Sequence, residues 1–137
     1  MILRVGVIGG GQLARMMIPE AIALGLEIKV FAEQEGMSAS IATETVGDYT
    51  EAEELGWFAD GVDVITFDHE HVPVQALQQL ERVGVSVQPP SKALTFAQNK
   101  LFMRQRLSEA GLPMPKWLEV KTKEELEVFI KENGGKV

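Results

Sequence analysis

The chain has 137 residues, 13 Lys+Arg against 20 Asp+Glu, a formal net charge of −7 and no cysteine. The acidic balance argues against a general nucleic-acid binder, whose affinity comes from basic groups set against phosphates. The lack of cysteine excludes disulfides and thiolate metal or nucleophile chemistry, and suits a reducing cytoplasm. No apolar run approaches the roughly 20 residues of a membrane helix, and Met1-Ile2-Leu3-Arg4 leads straight into strand-like sequence, so no signal peptide is expected.

Ile2 to Ile8 is apolar apart from Arg4 and Gly6, the pattern of a strand buried on both faces of a parallel sheet. Gln12 to Leu24 carries a helical stripe of Leu13, Met16, Met17, Ile22 and Leu24, stopped by Gly25. Pro19 deletes a donor and crowds the carbonyl of Arg15, which predicts a kink between Arg15 and Pro19. Glu27 to Ala32 reads as a second strand, Ser38 to Ile41 as one helical turn, and Thr43 to Val46 as a third strand. Thr50 and Glu53 have the spacing of a capping box for a helix over Glu51 to Ala59, closed by Gly61. Val62 to Phe67 is a strand, and Pro73 suits the first turn of a helix ending at Arg82 and Gly84. Val85 to Val87 is a last short strand before Pro89-Pro90.

The alternation predicts an α/β domain over residues 1–90: a Rossmann-like parallel sheet with helices on both faces. Ligands of such sheets sit beyond the carboxyl ends of the strands, which singles out the loops Gly9–Gln12, Glu33–Gly36 and Asp68–Val72. Residues 91–137 differ in character. Helices are expected over Ser91 to Ala97 and Asn99 to Ala110, then a strand over Trp117 to Val120. A helix over Lys123 to Glu132 follows, capped by Thr122 with Glu125 in the capping-box position. Lys136-Val137 reads as the opening of one more strand, so residue 137 is expected to be a truncation point.

Gly9-Gly10-Gly11-Gln12-Leu13-Ala14 fits the dinucleotide fingerprint G-x-G-x-x-A, with Glu33 near the place of the ribose-binding acid. Glycines at a strand-to-helix turn let backbone N–H groups approach an anion, which the helix N-terminus also favours. The same geometry serves any phosphate, so an NAD- or FAD-binding oxidoreductase domain and a mononucleotide site both stay open. Gln12 adds a long amide able to hydrogen-bond a hydroxyl or phosphate. In Thr66-Phe67-Asp68-His69-Glu70-His71-Val72-Pro73, four titratable groups stand in a row after a strand. Glu70 is the residue expected to reach a ligand, while Asp68 and the histidines shape the loop. No metal site is expected, because His69 and His71 have no third histidine to join them.

GVIGGGQLARMM, TFDHEHVP and QPPSKALTFAQNKLFMRQRLSEAGLPMPKW, in this order, resemble the N-terminal part of the 5-(carboxyamino)imidazole ribonucleotide synthase family, ATP-grasp carboxylating ligases of purine biosynthesis. The formate-dependent glycinamide ribonucleotide transformylases have a similar layout, but carry an acidic residue where this chain has Gln12. The resemblance implies a pre-ATP-grasp domain followed by a helical segment entering a truncated ATP-grasp domain, and a cytoplasmic, homodimeric full-length enzyme. It implies ATP, magnesium, bicarbonate and aminoimidazole ribonucleotide as reaction components, with carboxyphosphate as intermediate. Gly11, Gln12, Leu13 and Glu70 would line the ribonucleotide site, and Lys100 would lie near the ATP phosphates. The magnesium ligands and the glycine-rich ATP loop of that family lie downstream, so no catalytic residue is expected within this chain, which alone would be inactive. A sensor module on the same scaffold is the non-enzymatic alternative.

Overall fold

In the computed structural model, which describes residues 2–135, the chain alternates strands and helices through its first 98 residues. The elements are β1 (Arg4–Ile8), α1 (Gln12–Ala23), β2 (Glu27–Ala32), β3 (Thr43–Val46), α2 (Ala52–Asp60), β4 (Val64–Phe67), α3 (Val74–Arg82) and α4 (Ser91–Gln98). A single 3₁₀ turn, Ser40–Ala42, leads into β3. All strand pairs are parallel, and the sheet order is β3-β2-β1-β4.

Alternation along the strands divides the core between two faces. Val7, Val30 and Ala32 pack with Ala14 of α1 on one side. Ile8, Phe31 and Ile65 pack with Leu55, Phe58, Ala76, Leu77, Leu80 and Leu94 of α2, α3 and α4 on the other. Helices therefore cover both faces, as the buried apolar strands predict. The order runs outward from β1 to β3 and then reverses, with β4 on the free side of β1. In sheets with such a reversal the ligand crevice lies beyond the carboxyl ends of the strands that flank it, here β1 and β4. Ile8 stands in register with Phe67 and with Phe31, so Gly9, Asp68 and the end of β2 come together there.

Several local expectations change. β1 begins at Arg4, whose amide and guanidinium donate to Asp63; hydrogen bonding by Arg4 holds the Asp63 carboxyl down to about 2. Pro19 lies inside one uninterrupted helix, on an exposed position. Thr50 does not cap α2: its amide and hydroxyl both donate to Asp48 Oδ1, at 2.8 and 2.6 Å, a local turn that outcompetes the cap. Val85 to Val87 contributes one parallel bridge, Val87 to Ile65, instead of a full strand.

The first compact unit ends at Gln98, eight residues beyond the proline-based division at residue 90. The cause is α4. Leu94 enters the core, and the Glu81 carboxylate accepts from the Ser91 amide and hydroxyl at 2.7 and 2.6 Å.

The second unit, from Asn99, contains α5 (Lys100–Glu109) and α6 (Lys123–Glu132). Asn99 caps α5 through the Phe102 amide. Trp117 to Val120 has no strand pairing, and the Trp117 indole donates to Ser108 Oγ at 3.1 Å. Lys136 and Val137 lie outside the described residues. The capping box at α6 forms as its spacing predicts: Thr122 Oγ1 accepts from the Glu125 amide, and Glu125 accepts from the Thr122 amide. Thr122→Ala should therefore cost α6 about 1 kcal/mol, measured as faster amide exchange along Lys123–Glu132 with the first unit unchanged.

Candidate functional site at the β1–α1 turn

The crevice is built from three strand ends. β1 delivers Gly9, Gly10 and Gly11, β2 delivers Glu33, and β4 delivers Asp68 to His71. Gly9 has φ +108°, and its amide donates to the Phe31 carbonyl at 2.9 Å. A Cβ on Gly9 would stand 1.8 Å from Asp68 Oδ1, one on Gly11 2.8 Å from Asp68 Oδ2, and one on Gly10 2.7 Å from Ala32 Cβ. The glycines are thus demanded by close packing against neighbouring strand ends, above all against Asp68.

The turn's own carboxylates fill most of its donors. The Gly10 amide donates to Glu33 Oε2 at 3.0 Å. The Gly11 and Ala14 amides donate to Asp68 Oδ2 at 3.2 and 3.3 Å. Asp68 is almost wholly buried, with a side chain 3% exposed, and sits as a fixed negative charge on the N-terminus of α1. Its Oδ1 is buried without a hydrogen-bond partner, 3.6 Å from His69 Nε2. In the turn only the Gln12 and Leu13 amides remain without an acceptor among the described residues. Both residues are exposed.

His69 links the two carboxylates. Its Nδ1 accepts from the His71 amide at 3.2 Å, so the proton belongs on Nε2, which donates to Glu33 Oε1 at 3.0 Å. The ring packs beside Tyr49, with centroids 5.6 Å apart, and beside His71 at 5.4 Å. Burial pushes the Glu33 carboxyl up, but hydrogen bonds from the Gly10 amide, its own amide and His69 outweigh it and hold Glu33 below its usual range. Burial, reinforced by the charges of Glu33, Asp48 and Asp68, pushes the Tyr49 hydroxyl up. The histidines serve this network, and no cluster of three potential metal ligands occurs among the described residues.

Of the sequence-derived candidates, Gly11, Gln12 and Leu13 open α1, and Glu70 stands exposed in the loop after β4. Gln98 holds that loop: its side-chain amide donates to the carbonyls of Glu70 and Val72, both at 2.8 Å. Sequence reasoning missed Gln98, whose only signal is its place at the end of a helix that packs back on the first unit. Lys100 belongs to the second unit, exposed at the start of α5. There it lines a cleft of about 370 Å³ with Leu101, Arg104, Trp117, Leu118, Glu119 and Val120. No helix among the described residues is long and apolar enough to cross a membrane.

Comparison with known proteins places the fold in a family. N5-carboxyaminoimidazole ribonucleotide synthase of Mycobacterium tuberculosis is 45% identical over 127 residues, covering 91% of this chain and 30% of the relative. The crystal structure of N5-carboxyaminoimidazole ribonucleotide synthetase from Thermotoga maritima matches with a TM-score of 0.80 and 31% identity, over 96% of this chain and 36% of that one. The Aspergillus clavatus synthase, solved in complex with ADP and 5-aminoimidazole ribonucleotide, matches with a TM-score of 0.71 and 30% identity, over 97% and 36%. The chain thus spans about 30% of the length of the curated relative and about a third of the solved structures it matches. A family model for the ribonucleotide synthetase pre-ATP-grasp domain covers residues 2–98, the same stretch that folds as the first unit, and the chain belongs to that family.

Proposed function

We propose that this chain supplies the ribonucleotide-facing domain of an ATP-dependent ligase that carboxylates 5-aminoimidazole ribonucleotide with bicarbonate. The observation that carries the reading is the 45% identity to a synthase of that name across 91% of this chain. Bicarbonate attacks the γ-phosphorus of ATP, giving carboxyphosphate and ADP. The exocyclic amine of the ribonucleotide then attacks the carboxyphosphate carbon, and phosphate leaves. Magnesium, for which the described residues offer no cluster of three ligands, would supply charge neutralisation on the ATP phosphates.

The chain's own residues bind and orient. Gln12 and Leu13 offer open backbone donors, and Gln12 adds a side-chain amide that both donates and accepts. Gly11 keeps the backbone close at this point, although its amide is committed to Asp68. Glu70 accepts from ligand donors across the crevice, on a loop fixed by Gln98. Lys100 provides positive charge for the ATP phosphates. The full-length enzyme acts in the cytoplasm as a homodimer. A dinucleotide-dependent oxidoreductase fits less well, since the amides that such a cofactor would use already donate to Glu33 and Asp68. Gln12 disfavours the transformylase.

The intact enzyme is expected to hydrolyse ATP in response to aminoimidazole ribonucleotide plus bicarbonate. Gln12→Ala and Glu70→Ala should each raise KM for the ribonucleotide about tenfold while leaving KM for ATP within about twofold. Steady-state kinetics with each substrate varied decides the matter. Tight NADH binding without any response to the ribonucleotide, or an effect confined to ATP, would overturn the assignment.

A further inference from the structure

We propose that Glu33 and Asp68 are specificity determinants of the β1–α1 turn: fixed internal anions that close its Gly10, Gly11 and Ala14 donors to phosphate and pyrophosphate groups and confine ligand contact to Gln12 and Leu13. The turn has the glycine spacing of a pyrophosphate cradle, and the helix behind it has 12 residues. Yet the Gly10, Gly11 and Ala14 amides are each within 3.3 Å of a carboxylate oxygen of the same chain. Asp68 does more than compete for donors. Its Oδ1 lies 1.8 Å from where a Cβ on Gly9 would stand, so it also fills the space beside that glycine. The oxygen is buried and unpartnered, so the carboxylate is placed by packing as much as by its own bonds.

Glu33 is held from behind by a hydrogen bond, and Asp68 by its burial. His69 donates to Glu33 at 3.0 Å and lies 3.6 Å from Asp68, and the His71 amide fixes the His69 tautomer. A phosphate entering this turn would displace two braced anions, or stand within a few ångströms of them in a partly desolvated site, where like charges repel strongly. The inference does not depend on which ligand the crevice takes. It explains how one fingerprint can serve dinucleotides in some proteins and be closed to them here.

The test is a ¹⁵N-NMR titration of the protein with inorganic pyrophosphate and, separately, NADH. In the native protein the Gly10, Gly11 and Ala14 amides should show no saturable shift with either. In Glu33→Ala/Asp68→Ser, which removes both carboxylates and clears the space beside Gly9, pyrophosphate should produce saturable shifts at the freed amides. Apparent affinity should be at least about tenfold above the weakest binding that the native titration would detect. If that variant loses its amide dispersion, Glu33→Ala/Asp68→Asn, which removes both charges and keeps a side chain of the same size at position 68, gives the same readout. Saturable shifts at Gly10 and Gly11 in the native protein would overturn the proposal, as would folded double variants that gain no response. Failure of the ribonucleotide kinetics above would leave these titrations untouched, so the two results are separable.

Discussion

Gly9→Ala should lower the free energy of unfolding by about 3 kcal/mol or more, the joint cost of a strained backbone and an overpacked contact. At φ +108° a side chain is already unwelcome, and the new methyl would meet Asp68 Oδ1 at 1.8 Å and its Cγ at 2.7 Å. Asp68 cannot step aside freely, because its other oxygen holds two amides of α1. Gly36→Ala provides the control. Gly36 also has a positive φ, +73°, but nothing lies within 4 Å of its Cβ position, so only backbone strain of about 1 kcal/mol is expected. Urea unfolding of both variants gives the comparison. Equal losses would mean that Asp68 yields its place at little cost, and that the turn is looser than its packing indicates.

Asp68→Ala should destabilise by a similar amount, about 3 kcal/mol, through a different route. It strips the Gly11 and Ala14 amides of their acceptor and removes negative charge from the start of α1. Asp68→Asn keeps an oxygen in place and loses only charge, so about 1 kcal/mol is expected. The two sites are coupled by contact. With Asp68 truncated, the methyl of Gly9→Ala no longer collides, and the double variant should be more stable than the summed single losses by at least about 1 kcal/mol. Strict additivity would mean that Gly9 is needed for its dihedral angle alone.

The fold was legible because its evidence is local. Glu27–Ala32, Thr43–Val46 and Lys123–Glu132 form the elements that their apolar runs and caps predict. Where a local competitor existed, the reading failed: Asp48 captures Thr50, and Val85–Val87 is reduced to a single bridge. The site was legible in outline, since strand ends in a reversing parallel sheet must converge. Its chemistry was not. A glycine turn beside acidic residues reads equally as an anion site facing ligand-binding acids or as a cradle already filled by them. Only the register, which sets Ile8 opposite Phe67 and Phe31, places Asp68 and Glu33 in the turn. Gln98 escaped notice because its bonds to residues 70 and 72 depend on how α4 folds back.

The Gly11 and Ala14 amides find their acceptor 57 and 54 residues further along the chain. The first helix therefore cannot complete its own beginning during synthesis. Until β4 has emerged and settled beside β1, the opening of α1 stays frayed, and solvent exchange at these two amides reports assembly of the whole sheet.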